Sequence, residues 1–180
     1  MRRAIFLDRD GTLIKDNGFL KHSSKVSLYT FTVEALRILQ KEFDLFIVTN
    51  QCGIANNILT LDEVEQVNKF IIDTLAADGI DIKDCYICPH AIDADCECRK
   101  PRPFFAEQAA LRYGLDLSQS YMIGDHLSDM EFGKAFGGHG VYVLTGHGLH
   151  DYHLVPDNGI VATNLLFAAK KIMTKIIIEN

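Results

Sequence analysis

No run of about 18 apolar residues occurs anywhere in the 180-residue sequence, which excludes a helix spanning a bilayer. No Lys/Arg-rich block occurs either, and 18 basic side chains face 24 acidic ones for a formal net charge of −6. A nucleic-acid or membrane-surface partner therefore lacks its electrostatic footprint. Internal repeats and low-complexity tracts are missing too. Only Ala4-Ile5-Phe6-Leu7 separates Met1-Arg2-Arg3 from Asp8, too short for a signal-peptide core, so a cytoplasmic location is expected. What is present is the balance of a soluble globular protein, 48% hydrophobic and 23% charged. A chain of this length buries about two-thirds or more of its unfolded surface, and one domain over residues 1–180 is expected.

The segment AIFLDRDGT carries the first chemistry. Ala4-Ile5-Phe6-Leu7 is short, apolar and bounded by turn formers, so it reads as a buried strand. Asp8 emerges at its carboxyl end, and Gly11 supplies the sharp departure. Residues two apart on an extended chain project the same way, so Asp8 and Asp10 are expected to face one small volume. Two negative charges held together call for a cation or a proton between them. Mg²⁺ accepts one or two carboxylates together with substrate phosphate oxygens, an arrangement for phosphate chemistry.

Five cysteines are present, and their spacing matters more than their number. Cys88-Pro89-His90, then five residues, then Cys96-Glu97-Cys98 offers three thiolates and an imidazole, an established closed set for structural Zn²⁺. Four such ligands leave no open position for water. The separations are local, so closing the loop costs little entropy, and the metal would pin residues 91–95, which have little apolar content. Cys52 and Cys85 fall outside this cluster, and Cys85 reads as a small apolar core residue.

Elsewhere strand and helix signals alternate. Apolar runs at 44–48, 85–88, 121–123 and 141–144 read as buried strands. Helical patterns cover 31–42, a stretch from the capping box Thr60-Leu61-Asp62-Glu63 to about Asp78, a segment between Pro101 and Gly114, and 164–178. Such alternation predicts a parallel sheet covered on both faces, with ligands bound outside the carboxyl ends of its strands. Polar groups collect at those ends: Asp8 and Asp10, Thr49-Asn50-Gln51, Arg99-Lys100, and Gly124-Asp125-His126-Leu127-Ser128-Asp129.

DRDGT, VTNQ, RKP and GDHLSD, in that order, resemble the four motifs of the haloacid dehalogenase (HAD) phosphohydrolase superfamily. With C-P-H and C-x-C just before R-K-P, the resemblance is to its zinc-bearing branch, which holds the heptose-bisphosphate and histidinol-phosphate phosphatases. The match runs from Ala4 to about Gly146. It implies a doubly wound, Rossmann-like parallel sheet without a large cap domain, carrying a small zinc-stabilised loop. It also implies an aspartyl-phosphate intermediate. Asp8 would be the nucleophile and Asp10 the acid and base. Mg²⁺ would be held by Asp8, the Asp10 backbone carbonyl and Asp125. Thr49 and Lys100 would bind nonbridging phosphate oxygens, and Arg99 the rest of the substrate. Asp129 would orient Lys100 or a water on the metal.

Within the branch, Asp16-Asn17-Gly18-Phe19 stands where the heptose enzymes contact sugar, and Asn50, Gln51, Cys52 and His126 are further substrate-contact candidates. Thr49-Asn50-Gln51-Cys52-Gly53-Ile54-Ala55 is close to the heptose pattern T-N-Q-S-G-I-A. Three departures stand out: Asn56-Asn57 in place of Arg-Gly, Phe104-Phe105 in place of Gly-Met, and His126 in place of Lys. Each would remove charge or add bulk at the substrate end. His22 reads as surface loop, and His139, His147, His150 and His153 as solvated residues of a Gly-rich stretch. The expected partner is a small phosphorylated sugar, a bisphosphate or a monophosphate, acted on by a monomer. A noncatalytic module that only recognises phosphorylated ligands is the alternative from another class.

Overall fold

The computed structural model describes residues 2–179. Their strands are β1 (Ala4–Leu7), β2 (Asp44–Asn50), β3 (Ile82–Cys88), β4 (Tyr121–Gly124), β5 (His139–Val143) and β6 (Ile160–Ala162). The helices are α1 (Thr32–Leu39), α2 (Leu61–Ala77), α3 (Phe104–Tyr113), α4 (Leu127–Ala135) and α5 (Leu165–Glu179). All strands run parallel in the order β3-β2-β1-β4-β5-β6. The chain winds outward from β1 through β2 and β3, then returns to β1's other edge with β4. That reversal makes the carboxyl ends of β1 and β4 a topological switch point, where doubly wound sheets bind ligands. Leu7 is in register with Ile47 on one side and Ile123 on the other, so the three strands deliver their following residues at one level.

Both faces are covered. Ile5 and Leu7 point into a core with Leu36 and Leu39 of α1, Val67, Ile71 and Leu75 of α2, and Ala168, Ala169 and Ile172 of α5. Ala4 and Phe6, one residue out of phase on the strand, point into a second core with Ala106 and Ala109 of α3 and Phe132 of α4. Phe6 lies 5.4 Å from Phe46 and 5.9 Å from Phe132, ring centre to ring centre. β1 is buried on both faces, which is why its sequence is a continuous apolar run rather than an alternation.

The capping box at Thr60 is formed: the Glu63 N–H donates to Thr60 Oγ1 at 3.1 Å, and the Thr60 N–H to Glu63 Oε2 at 2.8 Å. Several boundaries differ from the sequence reading. α1 stops at Leu39 because the Glu42 and Phe43 N–H groups both donate to the Leu39 carbonyl, turning the chain so that Phe43 is buried. α3 starts at Phe104, since residues 101 and 102 are in a turn whose Arg102 N–H donates to Arg99 O. Residues from Leu127 onward, to which the sequence patterns assigned no element, form α4. β6 is the other addition, three residues after Gly159 that a short-strand signal did not reach. Each loop between these elements carries at most one 3₁₀ turn among the described residues, so no cap covers the switch point. Among the described residues, no helix is long and apolar enough to cross a membrane.

Candidate active site

Polar side chains converge at the switch point around a cleft of about 330 Å³. Asp8 follows β1, and its backbone N–H donates to Ile123 O at 2.9 Å, which ties it to β4. Lys100 reaches the same spot from the far end of the Cys88–Cys98 loop. Its Nζ lies 2.6 Å from Asp8 Oδ1 and 2.6 Å from Asp129 Oδ1, and donates to Val48 O at 2.8 Å. Lys100 and both carboxylates are buried. Burial opposes the ammonium charge, yet Asp129 and Asp8 outweigh it and hold the amine well above its usual range. Burial also pushes the Asp8 carboxyl up to about 6, against the pull of Lys100.

Asp125, at the end of β4, has no exposed surface. Its Oδ1 lies 3.0 Å from His126 Nδ1, and its Oδ2 accepts from the His147 N–H at 2.8 Å. Burial raises its carboxyl too, with the His126 contact opposing. Two glycines make room for it. Gly11 (φ +77°) and Gly146 (φ +56°) have left-handed backbones, and a Cβ on either would fall about 2 Å from Asp125 Oδ2 (2.1 and 2.2 Å). Asp129 opens α4: its Oδ2 accepts from the His126 N–H at 3.0 Å while Oδ1 faces Lys100.

Ligand atoms of Asp8, Asp125, His126 and Asp129 lie within 4.8 Å of one another. Asp8 and Asp125, two buried carboxyls whose affinity for protons burial raises, are hard oxygen donors facing one another across that distance. This donor set fits a divalent ion such as Mg²⁺.

Asp10 is arranged differently from Asp8. Its Oδ2 accepts from Arg9 (Nε 3.1 Å, Nη2 2.7 Å) and from Gln51 Nε2 at 2.9 Å. The two carboxylates line one cleft but are held by different cations, because β1 ends at Leu7 and strand alternation no longer governs where they point. Gln51 also donates to Thr49 Oγ1 at 2.8 Å. Asn50 clamps the Lys100 backbone, accepting from its N–H at 3.2 Å and donating to its carbonyl at 3.4 Å.

The four soft ligands sit together. Cys88 Sγ is 3.6 Å from His90 Nδ1 and 3.8 Å from Cys96 Sγ, and Cys98 Sγ is 3.3 Å from His90 Nδ1. A zinc tetrahedron with bonds of about 2.3 Å to sulfur and about 2.0 Å to nitrogen has edges of about 3.5–3.8 Å. The Cys88 separations match it and the Cys98–His90 one is about 0.2 Å shorter, while the 3.8 Å between Cys88 and Cys96 is too long for a disulfide, whose sulfurs sit about 2.05 Å apart. Arg99 and Lys100 follow directly.

A HAD-hydrolase-like family model matches residues 97–166. The D-glycero-beta-D-manno-heptose-1,7-bisphosphate 7-phosphatase of Pasteurella multocida is 38% identical over 141 residues, covering 74% of this chain and 77% of that one. The chain belongs to the HAD-like phosphatases. A D-glycero-alpha-D-manno-heptose-1,7-bisphosphate 7-phosphatase of Photorhabdus laumondii is 30% identical over 183 residues, 95% of this chain and 96% of that one. Among solved structures, a D,D-heptose 1,7-bisphosphate phosphatase from B. bronchiseptica, complexed with magnesium and phosphate, superposes with a TM-score of 0.87. It is 27% identical, covering 96% of this chain and 99% of that one.

Against this HAD-like frame, the residues picked from sequence and the residues that line the cleft fall in three groups. Asp8, Asp10, Asp16, Gly18, Phe19, Thr49, Asn50, Gln51, Cys52, Arg99, Lys100 and His126 line the cleft, with Asp125 buried beside Asp8. Asn17 does not: its amide donates to Lys25 O at 3.3 Å, and with His22 it borders a separate surface depression. The third group was missed. His147, read as solvated, lines the cleft, with Nε2 2.9 Å from Asp16 Oδ2 and its ring 5.1 Å from that of His126. Ile92 lines it as well, alongside Ser128 and Asp129 of the polar segment already noted after β4. The one usable signal for His147 was its place directly after a strand and a glycine turn. Two of the three departures lie away from the substrate end. Asn56 and Asn57 are exposed outside the cleft, and Phe105 packs on Tyr86 (5.2 Å) in the second core. Of the three, only His126 lines the cleft.

Proposed function

We propose that the protein is a Mg²⁺-dependent phosphatase that removes the 7-phosphate of D-glycero-D-manno-heptose 1,7-bisphosphate through an aspartyl phosphate. The observation that carries this reading is the buried Asp8 carboxylate, neutralised by Lys100 yet open to a cleft, at the switch point of a fold shared with relatives named for that reaction. Asp8 Oδ attacks phosphorus as the bond to the sugar oxygen breaks, and Asp10 gives that oxygen its proton. Asp10 then takes a proton from the water that cleaves the acyl phosphate, which returns Asp8 and releases inorganic phosphate. A carboxylate nucleophile divides one hard displacement into two easier ones.

Asp8, the Asp10 carbonyl and Asp125 would hold Mg²⁺, which draws the anionic nucleophile and phosphate together. Lys100 and the Thr49 hydroxyl stabilise nonbridging oxygens as charge builds on them. Arg99, whose Nη1 is buried with no partner, is free to bind a second anionic group with its planar fork. Asp16, Gly18, Phe19, Asn50, Gln51, Cys52 and His126 complete the walls for the sugar. Zn²⁺ on Cys88, His90, Cys96 and Cys98 would fix the approach of Arg99 and Lys100. The cleft is assembled from one chain, and we read the working form as a cytoplasmic monomer folded as a single domain. Turnover should be compared on both anomers of heptose 1,7-bisphosphate, histidinol phosphate and fructose 1,6-bisphosphate. A heptose bisphosphate should show the highest kcat/KM. Equal rates on all four, or none with Mg²⁺ present, would refute the assignment.

A further inference from the structure

The turn after β5 is anchored at three points. The Thr145 hydroxyl donates to Gly11 O at 2.6 Å, the Gly148 N–H to Thr145 O at 2.8 Å, and the His147 N–H to Asp125 Oδ2 at 2.8 Å. His147 therefore stands on fixed backbone, with its ring packed 5.1 Å from that of His126. Its Nε2 donates to Asp16 Oδ2 at 2.9 Å. Asp16 belongs to a different loop, fastened away from the cleft: the Lys15 N–H donates to Ser27 O at 2.8 Å, and the Asn17 amide to Lys25 O at 3.3 Å. Its other oxygen, Oδ1, accepts from the Gly18 N–H at 2.8 Å. A contact between side chains that are 57% and 23% exposed adds little stability. Its consequence lies in where it leaves the carboxylate.

A carboxylate offers about four acceptor positions. Gly18 and His147 occupy some of them and leave others for a ligand in the cleft that Asp16 lines. Phe19 lines the same cleft, exposed, with its ring lying on Gly53, where a Cβ would fall 2.6 Å from Phe19 Cδ1. A fixed acceptor group beside an apolar ring matches a polyol, which presents hydroxyls along its edge and C–H groups on its face. We infer that His147 sets leaving-group specificity: from its anchored turn it holds the Asp16 carboxylate where adjacent hydroxyls of a sugar can donate to it. The inference rests on the sugar-phosphate reading above and adds the residue that makes Asp16 selective. Released from His147, Asp16 would keep only its local bond to Gly18 and move with its own loop. A sugar would then lose its advantage over a leaving group without hydroxyls.

The test compares two phosphate esters with Mg²⁺ present: heptose 1,7-bisphosphate, as the preferred anomer, and 4-nitrophenyl phosphate, whose leaving group carries no further hydroxyl. His147→Ala keeps the backbone N–H that holds Asp125. It should lower the ratio of the two kcat/KM values, heptose bisphosphate over 4-nitrophenyl phosphate, about tenfold, the low end for a hydrogen bond to a charged group. The loss should lie in KM rather than kcat. His147→Gln, whose amide also donates, should recover part of the ratio. Asp16→Ala should lose at least as much as His147→Ala. Adding His147→Ala to it should cost less than about a further twofold, because residues that act through one contact are not additive. Equal losses on the two esters would mark a merely structural role, and a further loss of about tenfold in the double variant would show that His147 does not act through Asp16. Either result overturns the inference. If the parent does not prefer the heptose bisphosphate, the substrate reading fails and this inference with it. If the parent prefers it and His147→Ala keeps the ratio, only the role of His147 fails.

Discussion

Replacing Lys100 by Met should destabilise the protein far more than its position at a cleft edge would indicate. The ammonium lies 2.6 Å from both Asp8 and Asp129, and all three side chains are at most 10% exposed. Methionine keeps the volume and leaves two carboxylates buried without a cation. Removing one partner from a buried ion pair costs about 3–5 kcal/mol. At about 2–4 °C per kcal/mol for a chain of this size, the melting temperature should fall by roughly 6–20 °C. The assay is thermal unfolding of the metal-free protein, parent against variant, between pH 5 and pH 8. In the variant Asp8, whose carboxyl burial already pushes up, loses the ammonium that opposed the shift, so its folded-state pKa lies above the unfolded one of about 3.9. Its stabilising contribution is full below that value and lost as pH rises through the folded-state pKa. The deficit should therefore be largest at pH 8 and shrink toward pH 5. Adding Asp129→Asn, which removes one stranded charge, should recover part of it. A variant melting within about 2 °C of the parent at pH 8, or a deficit that widens on acidification, would show that Lys100 does not neutralise this pair.

Asp8→Asn should abolish turnover while leaving the melting temperature unchanged or higher, because it removes a buried charge; retained activity would rule out nucleophilic attack by Asp8. Metal analysis should find one zinc per chain, and Cys98→Ser should lose it together with most activity, since Arg99 and Lys100 then lose their anchor; full activity in a zinc-free variant would separate the loop from the site. Gly146→Ala should weaken Mg²⁺ activation at least tenfold (~1.4 kcal/mol), because its Cβ would fall 2.2 Å from Asp125 Oδ2 on a backbone with φ +56°. An unchanged Mg²⁺ titration would show that Asp125 does not depend on that gap.

The parts legible from sequence were those written in local chemistry. β1 announced itself because burial on both faces demands an unbroken apolar run, and α2 because Thr60 and Glu63 satisfy each other within one turn. The cluster of Cys88, His90, Cys96 and Cys98 was readable because a tetrahedral set closed over a few residues needs fixed spacing. His147 was not, since its relevance comes from Asp16 and Asp125, residues that only the winding of the sheet brings near. Phe105 misled for the same reason: its neighbour Tyr86 lies on β3, and the contact packs it, partly buried, against the second core and away from the cleft. Arg9 carried no signal beyond sitting between two acids, and its burial depends on Asn68 from α2.

The sheet order has a consequence during synthesis on the ribosome. β1 emerges first and gains a neighbour on one edge as soon as β2 is made, but its other edge stays bare until β4 has left the exit tunnel. Until then an apolar strand displays unpaired amides and carbonyls, the template from which chains misassemble. Such a nascent chain already carries Asp8 and Lys100 yet lacks Asp125 and His147. A stalled or truncated product should therefore be both sticky and inert, and recovery of catalysis would report completion of the whole sheet rather than of any one part.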